Sequence, residues 1–196
     1  MNKIAYKRVI IKLSGEALAG DKGNGIDNAT LDRVTDQIAK VKSMGAEIGL
    51  IVGGGNFWRG RTCDDMNRAT ADYIGMMGTV MNGLALGEGL TSLGVKNKVV
   101  SSLAIDKVCE TYFLPNVLRY LDEGYVVIFV GGTGSPFFST DTASALRAAE
   151  IGAEAVLKAT NVDGIYTKDP KKYEDAEKID EITYLEVLNK KLNVMD

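Results

Sequence analysis

Three glycine-rich loops, each directly after an apolar run, constrain this chain more than any other feature. They read Lys12-Leu-Ser-Gly15 after residues 9–11, Gly53-Gly-Gly-Asn-Phe-Trp-Arg59 after residues 48–52, and Gly131-Gly-Thr-Gly134 after Val126–Val130. Glycine has no Cβ, so backbone N–H groups can approach an anion closely, and a helix beginning beyond the loop adds partial positive charge. Because Lys12 and Arg59 flank two of the three loops, we expect several phosphates to be held together, as phosphotransfer requires.

Composition narrows the functional classes. The 196 residues predict one domain with a sizeable core. The net charge of −3 gives no basic footprint for nucleic acid or an anionic membrane surface, and no apolar run approaches the ~20 residues of a membrane span. Cys63 and Cys109 have no metal-ligand spacing and suit a reducing compartment. We expect a soluble cytoplasmic protein that binds neither nucleic acid nor membrane.

The chain contains no histidine. This excludes Ser–His–Asp and Cys–His nucleophilic catalysis and every metal site that uses histidine. Catalysis must then use lysine, arginine, carboxylates, hydroxyls, backbone dipoles or an added metal ion. Phosphoryl transfer suits this set, because it needs mainly positioning and charge neutralisation.

Apolar periodicity alternates between strand and helix along the chain. Strands are predicted at residues 8–13, 48–52, 99–103, 126–130 and 155–158, and helices at 27–45, 67–93, 115–123, 140–151 and 184–192, with a turn-rich stretch at 161–175. Strands without polar alternation, separated by helices, indicate an α/β fold with a parallel sheet covered on both faces. Ligands of such sheets bind beyond the carboxyl ends of the strands, where the three loops lie.

Two common nucleotide-binding patterns are absent. The P-loop pattern GxxxxGK[ST] fails at its nearest match, where Gly94 is followed by Val95 and Lys96. The dinucleotide pattern GxGxxG fails after Gly134. Both absences disfavour P-loop kinases and Rossmann dehydrogenases. Lys12 instead precedes its glycine and is expected to act as a point charge on phosphate.

Five motifs together carry a resemblance that spans essentially the whole chain. They are Lys12-Leu-Ser-Gly-Glu-Ala, Gly53-Gly-Gly-Asn-Phe-Trp-Arg-Gly60, Met76-Met-Gly-Thr-Val-Met-Asn-Gly-Leu84, Gly132-Thr-Gly-Ser-Pro-Phe-Phe-Ser-Thr-Asp141 and Leu157-Lys-Ala-Thr-Asn-Val-Asp-Gly164. In this order they resemble the bacterial uridylate kinases of the amino acid kinase superfamily. The resemblance implies an αβα sandwich, conversion of UMP to UDP with ATP and Mg²⁺, a homohexamer, activation by GTP and inhibition by UTP.

The resemblance also implies roles for individual residues. Catalysis is assigned to Lys12, Arg59, Asp141 and Lys158, with Asp141 orienting the lysines. The ATP-binding residues it implies are Lys12, Leu13, Ser14, Gly15, Gly55, Arg59, Thr160, Asn161, Tyr166 and Asp169. The UMP-binding residues it implies are Gly54, Asp72, Thr133, Gly134, Ser135, Pro136, Phe137, Phe138, Ser139 and Thr140, with Asp72 on the ribose. The segment Gly20, Asp21, Lys22, Gly23, Asn24 and Gly25 corresponds to a loop linked to GTP, and no protein metal ligand is implied.

Read without the resemblance, several of these residues keep simpler explanations. The triple glycine at 53–55 can be a strand-to-helix turn, and Asp72 can be a surface carboxylate. The loop from Thr133 to Thr140, called the aromatic loop below, can be a hydrophobic plug, and Asp141 can be an ordinary acidic residue at a helix start. Lys158 can be structural, residues 20–25 a flexible tip, and Asp-Gly and Asp-Pro pairs explain the turns around Tyr166. The methionines of residues 66–81 fit core or subunit-contact packing.

Two other functions remain open from the sequence. One is a kinase of the same superfamily that phosphorylates a carboxylate such as aspartate, glutamate or acetylglutamate. The other is a non-catalytic protein that binds nucleotides or oxyanions.

Members of the resembled family run roughly 40 residues further, so we expect a single domain, 1–196, that lacks C-terminal strands.

Overall fold

Buried apolar strands form the centre of the chain. The computed structural model describes residues 4–58, 66–160 and 162–192. It divides into two units, Met1–Ala159 and Thr160–Asp196. The first unit holds a six-stranded sheet, whose strands are β1 Arg8–Leu13, β2 Glu47–Val52, β3 Asn97–Ser101, β4 Glu110–Thr111, β5 Val126–Val130 and β6 Ala155–Lys158.

Every pairing in this sheet is parallel, and the strand order is β4-β3-β5-β2-β1-β6. The helices of the first unit are α1 Glu16–Ala19, α2 Asn28–Ser43, α3 Arg68–Ser92, α4 Leu114–Asp122 and α5 Thr140–Ile151. In this order β5, β2 and β1 are neighbours. Because parallel strands run in the same direction, their carboxyl ends lie side by side at one edge of the sheet. The predicted α/β class with a parallel sheet is therefore confirmed.

Alternate residues of the central strands enter two separate cores. Val126, Ile128 and Val130 pack with side chains of α2 and α3, while Val127 and Phe129 pack with side chains of α4 and α5. All five residues of β5 are buried. This explains why the strand reads as a continuous apolar run, and it makes the unit a three-layered αβα sandwich.

Local signals in the sequence set the helix ends. The Asp27 side chain accepts the Thr30 N–H at the start of α2, and the Ser139 side chain accepts the Thr142 N–H at the start of α5. Helix α5 ends at Gly152, whose φ of 63° is the left-handed conformation that glycine favours. No helix within the described ranges has both the length and the apolarity needed to cross a bilayer.

The second unit contains a short antiparallel pair, β7 Ile165–Tyr166 with β8 Lys178–Ile179, and the helix α6 Tyr184–Asn189. A capping box between Thr183 and Glu186 begins α6. The sequence predicted only turns near β7 and extended the last helix to residue 192. Two-residue strands are too short to show periodicity, which is why β4, β7 and β8 were not predicted.

The third predicted strand, 99–103, has the wrong bounds. In the structure β3 begins at Asn97, opposite Val126, and ends at Ser101. The chain then turns away from the sheet, because the Ser101 hydroxyl accepts the Leu103 N–H. The Ser102 hydroxyl donates to the Gly132 carbonyl oxygen at 2.8 Å.

Close packing of α3 on the sheet generates a stability prediction. A Cβ at Gly83 would overlap the Cγ1 atom of buried Val130, whereas a Cβ at Gly75 on the same helix would meet nothing nearer than Trp58 Cδ1 at 3.9 Å. Gly83→Ala should lower the free energy of unfolding by about 1–2 kcal/mol, since overpacking outweighs the gain in helix propensity. The control Gly75→Ala should raise it by about 0.5–1 kcal/mol. Urea unfolding of both variants measures this, and equal effects would contradict the packing.

Candidate active site

A buried ion cluster lies at the carboxyl end of the sheet. Lys12 on β1 is only 6% exposed and is register-paired with Lys158 on β6. Asp141, in the first turn of α5, is 3% exposed and reaches both lysines. Its Oδ1 lies 3.0 Å from Lys12 Nζ, and its Oδ2 lies 2.7 Å from Lys158 Nζ.

The topology of the fold brings these three side chains together. Parallel pairing of β1 and β6 sets the two lysines beside each other, and the start of α5 stabilises a carboxylate through the helix dipole. The ammonium groups of Lys12 and Lys158 both pair with the carboxylate of Asp141, in a place where a charge is costly unless it is paired. Lysine side chains held in this way can present positive charge to an anion, and Lys158 is the more exposed of the two.

The first two glycine loops touch each other beside this cluster. A Cβ at Gly15 would overlap the Gly53 carbonyl oxygen, and a Cβ at Gly54 would overlap the Gly75 carbonyl oxygen of α3. The carbonyl oxygens of Ser14 and Gly15 accept the N–H groups of Ala17 and Leu18 at the start of α1. The Leu13 side chain lies in the core, so its predicted ATP contact falls to its backbone. Glycine at these positions thus has a packing reason as well as the predicted one.

An open pocket lies next to the loops and is built largely on α3. Its lining consists of Gly54, Gly55, Trp58, Ala71, Asp72, Gly75, Met76, Thr79, Gly132, Phe138 and Thr140. Among the residues predicted from the sequence, the structure thus brings together Gly54, Gly55, Asp72, Phe138 and Thr140. The other wall residues were not predicted, although the spacing of Ala71, Gly75 and Thr79 along one helix face could have suggested them.

Asp72 is not an isolated surface carboxylate. Its Oδ1 accepts the Arg68 Nε–H at 2.9 Å, and its Oδ2 accepts the Phe137 backbone N–H at 2.8 Å. Phe137 has φ of 71°, which is rare for a residue with a side chain, and the Arg68 guanidinium lies over its ring. The carboxylate therefore joins α3 to the aromatic loop across the pocket.

Most of the aromatic-loop residues that were predicted to bind UMP do not line the pocket; only Phe138 and Thr140 do. The Thr133 hydroxyl accepts the Ser135 N–H, Gly134 closes a tight turn on Gly131, and Ser139 caps α5. Pro136 lies between these turns and the aromatic pair. Phe137 and Phe138 are 69% and 59% exposed, so the reading of the loop as a hydrophobic plug is wrong.

Arg147, which was not predicted from the sequence, supports this loop through Ser102. Its guanidinium is buried, lies 3.7 Å from the centre of the Tyr112 ring, and donates to the Ser102 hydroxyl at 2.8 Å. Ser102 in turn donates to the Gly132 carbonyl oxygen. Burial raises the pKa of Tyr112 to about 12, so its phenol stays neutral and donates to Glu150. An arginine in an amphipathic helix resembles a surface residue, and only tertiary packing reveals its role.

The segment of residues 20–25 is fixed at its C-terminal end. Gly20, Asp21 and Lys22 form a 3₁₀ turn, and Gly23 and Gly25 have positive φ. The Gly25 N–H donates to the Asn56 carbonyl oxygen at 2.9 Å. Asp21 and Asn24 are exposed, so the segment is exposed in the middle and fixed at Gly25.

The predicted residues of the second unit have local partners. The Thr160 hydroxyl donates to the Val162 carbonyl oxygen, and Asp169 accepts the Lys171 N–H. Tyr166 donates to Asp163, and the hydrogen bond from Lys178 lowers the pKa of Asp163 to about 2. Two further predicted residues, Arg59 and Asn161, lie outside the described residues.

The ion cluster generates a prediction that needs no ligand. Asp141→Asn should lower the free energy of unfolding by about 3 kcal/mol, because a buried ammonium group loses its counter-charge. Asp36→Asn removes an exposed partner of Lys40 and should cost less than about 0.5 kcal/mol. Chemical denaturation of both variants compares the two pairs, and a neutral Asp141→Asn change would show that the lysines do not need this carboxylate.

Comparison with known proteins gives a consistent set of relatives. The chain matches the sequence model of the amino acid kinase family over residues 7–195. It is 54% identical over 199 residues to a uridylate kinase of Pediococcus pentosaceus, covering 100% of this chain and 83% of the relative.

Two solved structures share the fold. The crystal structure of UMP kinase from Bacillus anthracis matches with a TM-score of 0.94 and 39% identity, over 97% of this chain and 80% of that one. The crystal structure of UMP kinase from Ureaplasma parvum matches with a TM-score of 0.92 and 37% identity, over 98% of this chain and 83% of that one.

Proposed function

The chain belongs to the amino acid kinase family, and from this premise we propose that it is a uridylate kinase, which transfers the γ-phosphoryl group of ATP to UMP. An oxygen of the UMP phosphate bonds to the γ-phosphorus atom while the bond to the β–γ bridging oxygen breaks, giving UDP and ADP. This step supplies UDP for pyrimidine nucleotide biosynthesis. The similarity to proteins named uridylate kinase and UMP kinase supports the choice of substrate.

The observation that carries the proposal is the buried cluster of Lys12, Asp141 and Lys158. Transfer between two phosphates brings negative charge together, and positioned cations lower the barrier by neutralising it. We assign Lys12 to the phosphates of donor and acceptor, with Asp141 fixing both ammonium groups in place. Arg59 is assigned to ATP phosphate by the resemblance alone.

The pocket beside α3 is the proposed UMP site. Its wall combines an aromatic ring, Phe138, with a carboxylate, Asp72, and the glycine loop at Gly54 and Gly55. A nucleoside offers a flat base for the ring and hydroxyl groups for the carboxylate, whereas a small amino-acid substrate offers neither. This favours UMP over aspartate, glutamate or acetylglutamate. The rest of the loop, Thr133 to Thr140, is proposed to surround the uracil.

The ATP phosphates are proposed to bind along Lys12 to Gly15 and at Gly55. The ATP-binding roles of Thr160, Asn161, Tyr166 and Asp169 rest on the resemblance alone. Mg²⁺ is proposed to arrive with ATP. Among the described residues no group of three or more cysteine and carboxylate side chains is arranged to hold a metal ion. Both oxygens of Asp141 already face lysines. The ion then fits best on phosphate oxygens, where it neutralises charge, as is usual for Mg²⁺.

The family match spans both units, which supports a single amino acid kinase domain. We propose a cytoplasmic location, where UMP and ATP are available. GTP activation through residues 20–25 and UTP inhibition rest on the resemblance.

A homo-oligomer is proposed from the exposed face of α3, and the hexamer as its state rests on the resemblance alone. Its side chains Tyr73, Met77, Met81 and Leu84 are 37–45% exposed, and exposed apolar patches of this kind mark subunit contacts. Analytical ultracentrifugation should find an assembly at micromolar concentration. A stable monomer would contradict this part of the proposal.

Lys12→Ala tests the catalytic assignment. Removing one preorganised positive charge should lower kcat by about 10²–10³ with a smaller change in KM. Lys7→Ala is the matched control, because Lys7 precedes the same strand at its other end and pairs only at the surface with Glu47. A steady-state assay with saturating ATP and UMP measures both, and near-normal turnover of Lys12→Ala would refute the assignment.

Asp72→Asn tests the ribose assignment. The parent chain should prefer UMP over 2′-deoxy-UMP by about 10–100-fold in kcat/KM, because the deoxy analogue leaves the carboxylate without a hydroxyl donor. The preference should shrink in Asp72→Asn and persist in Arg68→Ala, which removes the neighbour and keeps the carboxylate. Equal discrimination in all three proteins would remove the ribose role.

A further inference from the structure

A reciprocal amide pair lies buried between α3 and the second glycine loop. The Asn56 Nδ2 atom donates to Asn82 Oδ1 at 2.9 Å, and the Asn82 Nδ2 atom donates to Asn56 Oδ1 at 2.7 Å. Asn56 is 3% exposed and Asn82 is fully buried. Buried amides lose much free energy unless their hydrogen bonds are satisfied, so such a pair specifies one geometry.

The second donor of each amide binds a backbone carbonyl oxygen in a different loop. Asn82 donates to the Gly53 carbonyl at 2.7 Å, and Asn56 donates to the Gly25 carbonyl at 2.7 Å. The Gly25 N–H returns a hydrogen bond to the Asn56 carbonyl. Two side chains thereby fix the triple-glycine loop and the end of the segment of residues 20–25.

The first glycine loop also packs on this pair. A Cβ at Gly15 would lie 2.6 Å from Asn56 Oδ1, so the amide forms part of the wall against which that loop rests. One turn before Asn82, the Thr79 hydroxyl accepts the Gly131 N–H at 2.8 Å. One face of α3 therefore sets the position of the loops that follow β2 and β5.

We propose that Asn82 is a positioning residue that acts through Asn56. It fixes the Gly53 loop relative to Lys12 and couples that loop to residues 20–25, in an inference that rests on the proposed kinase function. Neither amide touches the reacting phosphates in this assignment. Their effect comes from loop placement, since a misplacement of about 1 Å can cost about 10²-fold in rate.

Asn82→Ala tests this against a purely structural role. Asn97→Ala is the matched control, because Asn97 also donates to a carbonyl oxygen of α3, that of Gly87, at 3.0 Å and far from the loops. With UMP and ATP, kcat/KM of Asn82→Ala should fall about 10²-fold, while Asn97→Ala stays within about twofold at the same distance below its melting temperature. Equal losses in the two variants would overturn the proposal.

Hydrogen exchange followed by NMR gives a second readout that does not depend on a variant folding. In the unmodified chain the Gly25 amide should be protected to a similar degree as Phe57, which donates to Gly54 within the loop. Exchange of Gly25 as fast as that of exposed Asn24 would overturn the coupling. Failure of the unmodified chain to phosphorylate UMP would instead reject the function, and the exchange result would still judge the amide pair.

Discussion

The charge balance around Asp141 is the constraint on which the rest of the site depends. Two lysines on neighbouring parallel strands repel each other at the carboxyl end of the sheet, and Lys12 is almost wholly removed from water. A buried ammonium group is tolerated only with a counter-charge. The carboxylate that provides it comes from the start of α5, where the helix dipole favours a negative charge. The parallel sheet and the crossover helix therefore place three charges that no local segment could assemble.

Helix α3 is the second organising element, and its small residues explain how. Close approach at Gly78 and Gly83 brings its backbone against the glycine loop and the sheet. That closeness lets Thr79 and Asn82 reach backbone groups of two separate loops. The same helix presents Asp72 to the pocket and apolar side chains to its outer surface. One helix thus links loop geometry, the proposed UMP site and the proposed subunit contact.

The sequence predicted the parts of this structure that have a periodic or local signal. Continuous apolar runs predicted β1, β2 and β5, and the caps Asp27 and Ser139 agree with the predicted helix starts. The third strand was misplaced by two residues because a serine hydroxyl, which periodicity does not detect, bonds Leu103. The apolar neighbours of Lys12 were enough to predict that it lies in an interior strand and needs an anionic partner.

Other site residues could not be argued from local signals. The pairing of Lys12 with Lys158 depends on strand order, which the sequence does not display. Asn82 and Arg147 look like ordinary helix residues until their burial is known. The residues assigned to substrate contacts, such as Asp72, received their roles only from the resemblance. These roles stay predictions.

The choice of phosphoryl acceptor distinguishes a UMP kinase from the other kinases of the family. The unmodified chain would be assayed for ADP release from ATP and Mg²⁺ with UMP, CMP, aspartate, glutamate or acetylglutamate as the acceptor. We expect ADP release clearly above background with UMP, much slower release with CMP, and background release with the three acids. Rapid release with an amino-acid acceptor, or no release above background with UMP, would contradict the proposed function.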